Sequence, residues 1–169
     1  ASGIDYRIIM LSRHGPLSAQ SICVAAPLSG HACSPTRPQR PTNTASFFHY
    51  SEEISSNDSL RRILATYSTP DEFNLAPGGW SQWLRSDAYK VFIEFTDDNE
   101  YGRTAAQFDL MLRALSTEHF GTSGNRNYVF HSIVGLEPKA VTTEAYQPEE
   151  PVQRGMCSGA GLAVNNGQT

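Results

Sequence analysis

The run Lys90-Val-Phe-Ile-Glu-Phe-Thr-Asp-Asp-Asn99 constrains this chain more than any other stretch. Apolar and β-branched residues, bounded by polar turn formers, predict a strand buried inside a parallel sheet. The run stops abruptly at Thr96, Asp97 and Asp98, at a strand's carboxyl end, where open α/β sheets bind ligands. A hydroxyl and two carboxylates in that place are hard oxygen donors suited to a divalent cation.

The rest of the chain alternates in a way that fits such a sheet. Ile4 to Leu11 predicts a strand entering a loop at Ser12-Arg-His-Gly-Pro16. Residues 16–46 are rich in proline, serine and threonine and lack periodicity, which marks a long irregular insertion. Phe47-Phe-His-Tyr50 predicts a short strand, and the polar stretch Ser55 to Ser59 offers N-cap residues. Leu60, Ile63, Leu64 and Tyr67 then form one helical stripe. Trp80 to Arg85 predicts a short helix whose buried face carries Trp80 and Trp83. Ala105, Phe108, Leu112 and Leu115 keep helical spacing over Thr104 to His119, closed by Gly121, and Asn127 to Gly135 predicts another buried strand. The tail over 137–169 reads as irregular, with Gly155-Met-Cys-Ser-Gly-Ala-Gly161 as a flexible surface segment. Strand, helix, strand, helix, strand is the order of a mostly parallel α/β sheet with crossover helices.

Length and charge narrow the function. The 169 residues suit one domain with one sizeable core. A net charge of −4, with 13 scattered basic residues, gives no electrostatic reason to expect nucleic acid or an anionic membrane as partner. No apolar run approaches the roughly 18 residues of a membrane span, and the N-terminus lacks the blocks of a signal peptide. The three cysteines, at 23, 33 and 157, have no CxxC spacing, so thiolate metal binding is not expected. Cys23 and Cys33 bracket a Pro/Gly turn and are expected to form a disulfide that staples the insertion, two reduced thiols being the alternative. Cys157 is left over. His31, His49 and His119 have no spacing that marks a metal site.

The strand ending in Thr96-Asp97, the loop Ser55-Ser-Asn-Asp-Ser-Leu60 ahead of a helix, and the later strand ending in Ile-Val-Gly135 together resemble the von Willebrand factor type A domain. The resemblance covers roughly residues 4–136. It implies a three-layer α/β/α fold with a metal-ion-dependent adhesion site on top of the sheet. Matched to that site, Asp97 and Ser56 are the expected metal ligands, and Asp98 and Asn57 orient waters around them. The expected ion is Mg²⁺, with Ca²⁺ or Mn²⁺ as substitutes. The family's Asp-x-Ser-x-Ser loop does not occur in this sequence, and Ile4 to Leu11 resembles the family's second strand. The expectation is therefore a partial domain, incomplete at both ends. A protein ligand or neighbouring subunit is expected to supply an acidic side chain or the absent strand. The insertion and the Cys157 tail are similar to the secreted bacterial branch, which implies an extracellular or cell-surface place and a downstream partner for Cys157.

Two other functions compete with adhesion. The first is a structural module within a larger assembly, its metal site degenerate. The second is a histidine phosphatase, because Arg13-His14-Gly15 follows a strand as that family's nucleophile does. Pro16 departs from that pattern, and His14 reads more simply as a solvated loop residue.

Overall fold

The computed structural model describes residues 3–15, 21–35, 38–96, 100–134, 139–141, 143–145, 147, 150, 157–159 and 162–164. It is a mixed α/β structure whose strands pair in twos, and it divides into two compact units. One comprises Ala1–Ile54 with Arg61–Ser86, the other Ser55–Leu60 with Asp87–Thr169. Among the described residues no helix is long and apolar enough to cross a membrane.

In the first unit, β1 (Ile8–Leu11) runs parallel to β2 (Phe47–Tyr50), in register from Ile8 opposite Phe47 to Leu11 opposite Tyr50. The strand expected from Ile4 begins only at Ile8. β2 supplies four partners, and Ile4 and Tyr6 lie beyond them and are exposed. A parallel pair needs a long crossover, and here it runs through residues 12–46, among whose described residues there is no helix. Backbone and side-chain bonds hold the described part: Ala26 N–H donates to His31 O (2.7 Å), Gly30 N–H to Thr42 O (3.0 Å), and Thr44 Oγ1 to Leu28 O (2.9 Å). The expected Cys23–Cys33 disulfide is present, its Cα atoms 6.0 Å apart.

The core of this unit is aromatic. Phe47 and Tyr50 are fully buried, and the Tyr50 hydroxyl donates to Thr69 O at 2.8 Å. α1 (Ser59–Ala65) is divided between the two units, and its Leu64 is buried in this one. The Trp80–Trp83 segment is a single 3₁₀ turn with both tryptophans buried, as their spacing predicts. Trp80 Nε1 donates to Ile63 O at 3.0 Å, its ring stands edge-on to Tyr67, and Trp83 stacks on Phe48. Gly79 introduces this turn at φ 78°. A Cβ there would lie 2.2 Å from the Tyr67 carbonyl oxygen, so only glycine fits.

In the second unit, β3 (Lys90–Thr96) runs parallel to β4 (Tyr128–Val134), from Lys90 opposite Tyr128 to Thr96 opposite Val134. The crossover contains α2 (Ala105–Leu115) and α3 (Thr117–Phe120). The pattern predicts one helix over 104–119. Ser116 breaks it by leaving helical geometry and accepting the His119 N–H on its hydroxyl at 3.1 Å, which starts α3. Strand side chains alternate between faces. On one face Phe92 stacks against Phe130 and meets Phe108 of α2 edge-on, beside Leu112, Phe120 and Tyr128. On the other, Val91, Ile93, Phe95 and Ile133 are 56, 58, 75 and 55% exposed. The expectation of a strand buried on both faces is thus corrected: the helices cover one face of this pair. β5 (Cys157–Gly159) and β6 (Leu162–Val164) form an antiparallel hairpin in the tail expected to be irregular.

Candidate functional site

Two clusters of donor atoms stand out, one in each unit. In the second unit, the loop ahead of α1 meets the carboxyl end of β3. Thr96 Oγ1 donates to Ser56 O at 2.9 Å, and Tyr101 N–H donates to Asn57 O at 2.9 Å. The loop closes on itself where Ser55 N–H donates to the buried Asp58 Oδ1 at 2.8 Å. Of the four residues that the sequence singles out for a cation, Ser56 and Asn57 lie in this loop, beside the residue that precedes Asp97. Asp97 and Asp98 themselves lie outside the described residues.

Two carboxylates that sequence reasoning missed line the same rim. Glu94 accepts the Ser59 hydroxyl on Oε1 and the Ser132 hydroxyl (3.3 Å) on Oε2. Glu100 Oε2 accepts the Leu60 N–H at 2.9 Å, an acceptor placed at the start of α1. The other oxygen, Glu100 Oε1, is buried with no hydrogen-bond partner. Burial pushes the Glu100 carboxyl above the usual carboxylate range, and the charges of Asp58 and Glu94 push the same way, against the Leu60 N–H. Glu94 had a signal in the sequence, as the one charged residue within the apolar core of the β3 run. Glu100 had none, because it belongs to no periodic element.

Among the described residues the Thr96, Ser56, Glu94 and Glu100 groups at this rim offer oxygens, and Glu100 Oε1 is a buried carboxylate oxygen lacking a donor. That set fits a hard divalent cation. Nearby in this unit, an open hollow of about 410 Å³ is lined by Leu60, Phe108, Asp109, Arg126, Tyr128 and Phe130. Its charges are matched internally, since Asp109 accepts from Arg113, Arg126 and Tyr128 together.

The second cluster lies in the first unit, around Arg13-His14-Gly15. His14 is 2% exposed, which corrects the expectation of a solvated loop residue. Its backbone N–H donates to Ser51 Oγ (3.0 Å), its Nε2 bonds Pro38 O (3.0 Å), and its Nδ1 is buried without a partner. Arg13 reaches outward to Glu53 at 3.4 Å. A phosphoryl-accepting histidine needs an open face and a cationic clamp, and this tripeptide presents neither.

The His14 ring instead meets two other imidazoles edge-on, His31 at 5.8 Å and His49 at 5.3 Å between centroids. His49 is buried and held by Ser12, its Nε2 donating to Ser12 O at 2.9 Å, and burial brings its pKa down to about 4. His31 is likewise lowered by burial and by the neighbouring His14. One His31 ring nitrogen and the sulfurs of Cys23 and Cys33 all lie within 4.8 Å of one another. Spacing along the chain gave no hint of this convergence, which the irregular crossover produces. Comparison with known protein families, with curated proteins and with solved structures finds no match to this chain.

Proposed function

We propose that this chain forms a von Willebrand factor type A-like domain that recognises a protein partner through a hard divalent cation, Mg²⁺ foremost. In this reading the fold is of the three-layer α/β/α kind, and another segment or subunit completes its sheet. The observation that carries it is the Thr96 Oγ1 bond to the Ser56 carbonyl, which joins the hydroxyl loop to the strand leading into Asp97. Ser56 and Asp97 are the direct ligands, Asn57 and Asp98 orient waters, and Glu100 with its unpaired buried oxygen adds negative charge to the rim. A partner's acidic side chain completes the coordination. Such recognition belongs on a secreted or cell-surface protein, and the disulfide is compatible with that place.

Isothermal titration with Mg²⁺ tests the reading, together with the thermal midpoint as a function of Mg²⁺. Binding heat and a rising midpoint, both lost in Ser56→Ala and Asp97→Ala, are the expected result. A purely structural module gives neither heat nor a shift in the unsubstituted chain. Glu100→Gln separates the two further. Without metal it raises the midpoint at pH 7, because a buried charge disfavoured by its surroundings is removed, and it weakens Mg²⁺ binding only if the cation sits at this rim.

A further inference from the structure

The strongest unassigned feature is the donor cluster around the disulfide. We propose that reduction of the Cys23–Cys33 bond turns this loop into a binding site for a borderline-soft divalent cation, Zn²⁺ above all, held by Cys23, His31 and Cys33. The disulfide and the metal exclude each other, since the bonded sulfurs have no thiolate charge to give. The inference is independent of the oxygen-lined rim in the other unit and uses a different chemistry of donor.

Three observations support the site. The ligand atoms are already gathered within 4.8 Å, and Cys23 Sγ stands 3.4 Å from His31 Nε2. Tetrahedral zinc, with sulfur at about 2.3 Å and nitrogen at about 2.0–2.1 Å, holds its donors about 3.5–3.8 Å apart. The spacing between His31 Nε2 and Cys23 Sγ therefore needs almost no change, and Cys33 Sγ, within 4.8 Å of the same cluster, need only swing away from Cys23 once their bond is broken. Second, His31 Nδ1 is buried and has no hydrogen-bond partner, so the imidazole is not committed elsewhere on that side. Third, the neighbouring His14, 2% exposed, also carries a buried unpartnered Nδ1 while its Nε2 is engaged with Pro38 O. Taking that contact as donation from Nε2–H fixes the tautomer and leaves Nδ1 as a bare lone pair. Buried polar atoms without partners are rare and call for an account, and two imidazoles in contact at 5.8 Å share one here.

A dithiol reductant attacks one sulfur as its thiolate, the Cys23–Cys33 bond breaks, and the reductant leaves as its own disulfide after giving two electrons and two protons to the cysteines. The cation then replaces the two thiol protons, forming two sulfur–metal bonds and releasing both protons to solvent. The nitrogen of His31 adds its lone pair without further proton exchange.

The test uses the full chain as a Cys157→Ser variant, so that every thiol signal comes from the loop. After reduction by a phosphine, Co²⁺ is titrated as a spectroscopic probe and then displaced by Zn²⁺. The expected result is one equivalent per chain, with a thiolate-to-cobalt band in the near ultraviolet and visible bands of tetrahedral Co²⁺. The oxidised chain gives none of these. His31→Ala loses at least about tenfold in affinity, the loss that even an outer-sphere partner of a metal brings. Absence of the thiolate band in the reduced chain, or His31→Ala binding as tightly as the parent, overturns the proposal. Should reduction loosen the fold, Zn²⁺ must restore protease protection of residues 23–33, and failure to restore it counts against the site equally.

Discussion

Asp109 shows how much a single carboxylate organises in this chain. It accepts from Arg113, from both ends of the Arg126 guanidinium and from the Tyr128 hydroxyl, with its own side chain 18% exposed. Hydrogen bonds from Arg126 and Arg113 hold its carboxyl far below the usual carboxylate range, while burial and the charge of Asp109 push the Tyr128 hydroxyl up to about 12. A depressed acid contributes stability above its unfolded value and loses it as pH falls through the folded one. Asp109→Asn is therefore expected to cost about 2 kcal/mol at pH 7 in urea unfolding, and to flatten the acid limb below about pH 4. His49 gives the same sign by another cause. Burial holds it neutral, with a pKa of about 4, so the folded chain binds fewer protons than the unfolded chain as pH falls below 6.5. Stability should then decline by on the order of 3 kcal/mol between pH 7 and pH 4, and His49→Gln should show a shallower decline in the same titration.

Elements were legible where residues of one kind run together. The contiguous apolar runs gave β3 and β4 nearly to the residue, and the tryptophan spacing gave the buried 3₁₀ turn. Ends and breaks were less legible, because local chemistry decides them. α2 begins at a capping box in which Thr104 Oγ1 accepts the Gln107 N–H (3.2 Å) while Gln107 Oε1 accepts the Thr104 N–H (2.9 Å). Thr104→Ala is expected to cost about 1 kcal/mol in chemical unfolding, with the helix otherwise intact. The same chemistry at Ser116 ended α2 early, which apolar spacing alone could not foretell. The histidine cluster lay further from view, since residues 14, 31 and 49 meet only through an irregular crossover. Glu100 was hidden for a related reason: its position depends on a loop reaching the start of α1, and no periodicity records that.

At the scale of the whole molecule, the question is what the second unit's parallel pair leaves open. Parallel sheets are ordinarily covered on both faces, yet Val91, Ile93, Phe95 and Ile133 present apolar side chains on the face away from Phe108. Side chains on the helix-covered face are more buried, Tyr128 almost fully and Phe92 and Phe130 in part. Phe92→Ala, which removes a half-buried ring stacked on Phe130 and in contact with Phe108 and Phe120, is expected to cost about 2 kcal/mol. Residues on the open face are already largely in water, so their truncation removes little burial. The double variant Ile93→Thr/Phe95→Ser should stay within about 0.5 kcal/mol of the parent in urea unfolding. Binding of a hydrophobic dye and self-association in sedimentation should both fall, because contiguous exposed apolar surface drives each. A loss above about 2 kcal/mol in the double variant, with dye binding unchanged, would mean that something packs on this face after all. The contrast between Phe92 and Phe95, three residues apart on one strand, thus measures directly whether the pair is covered by helices on one side alone.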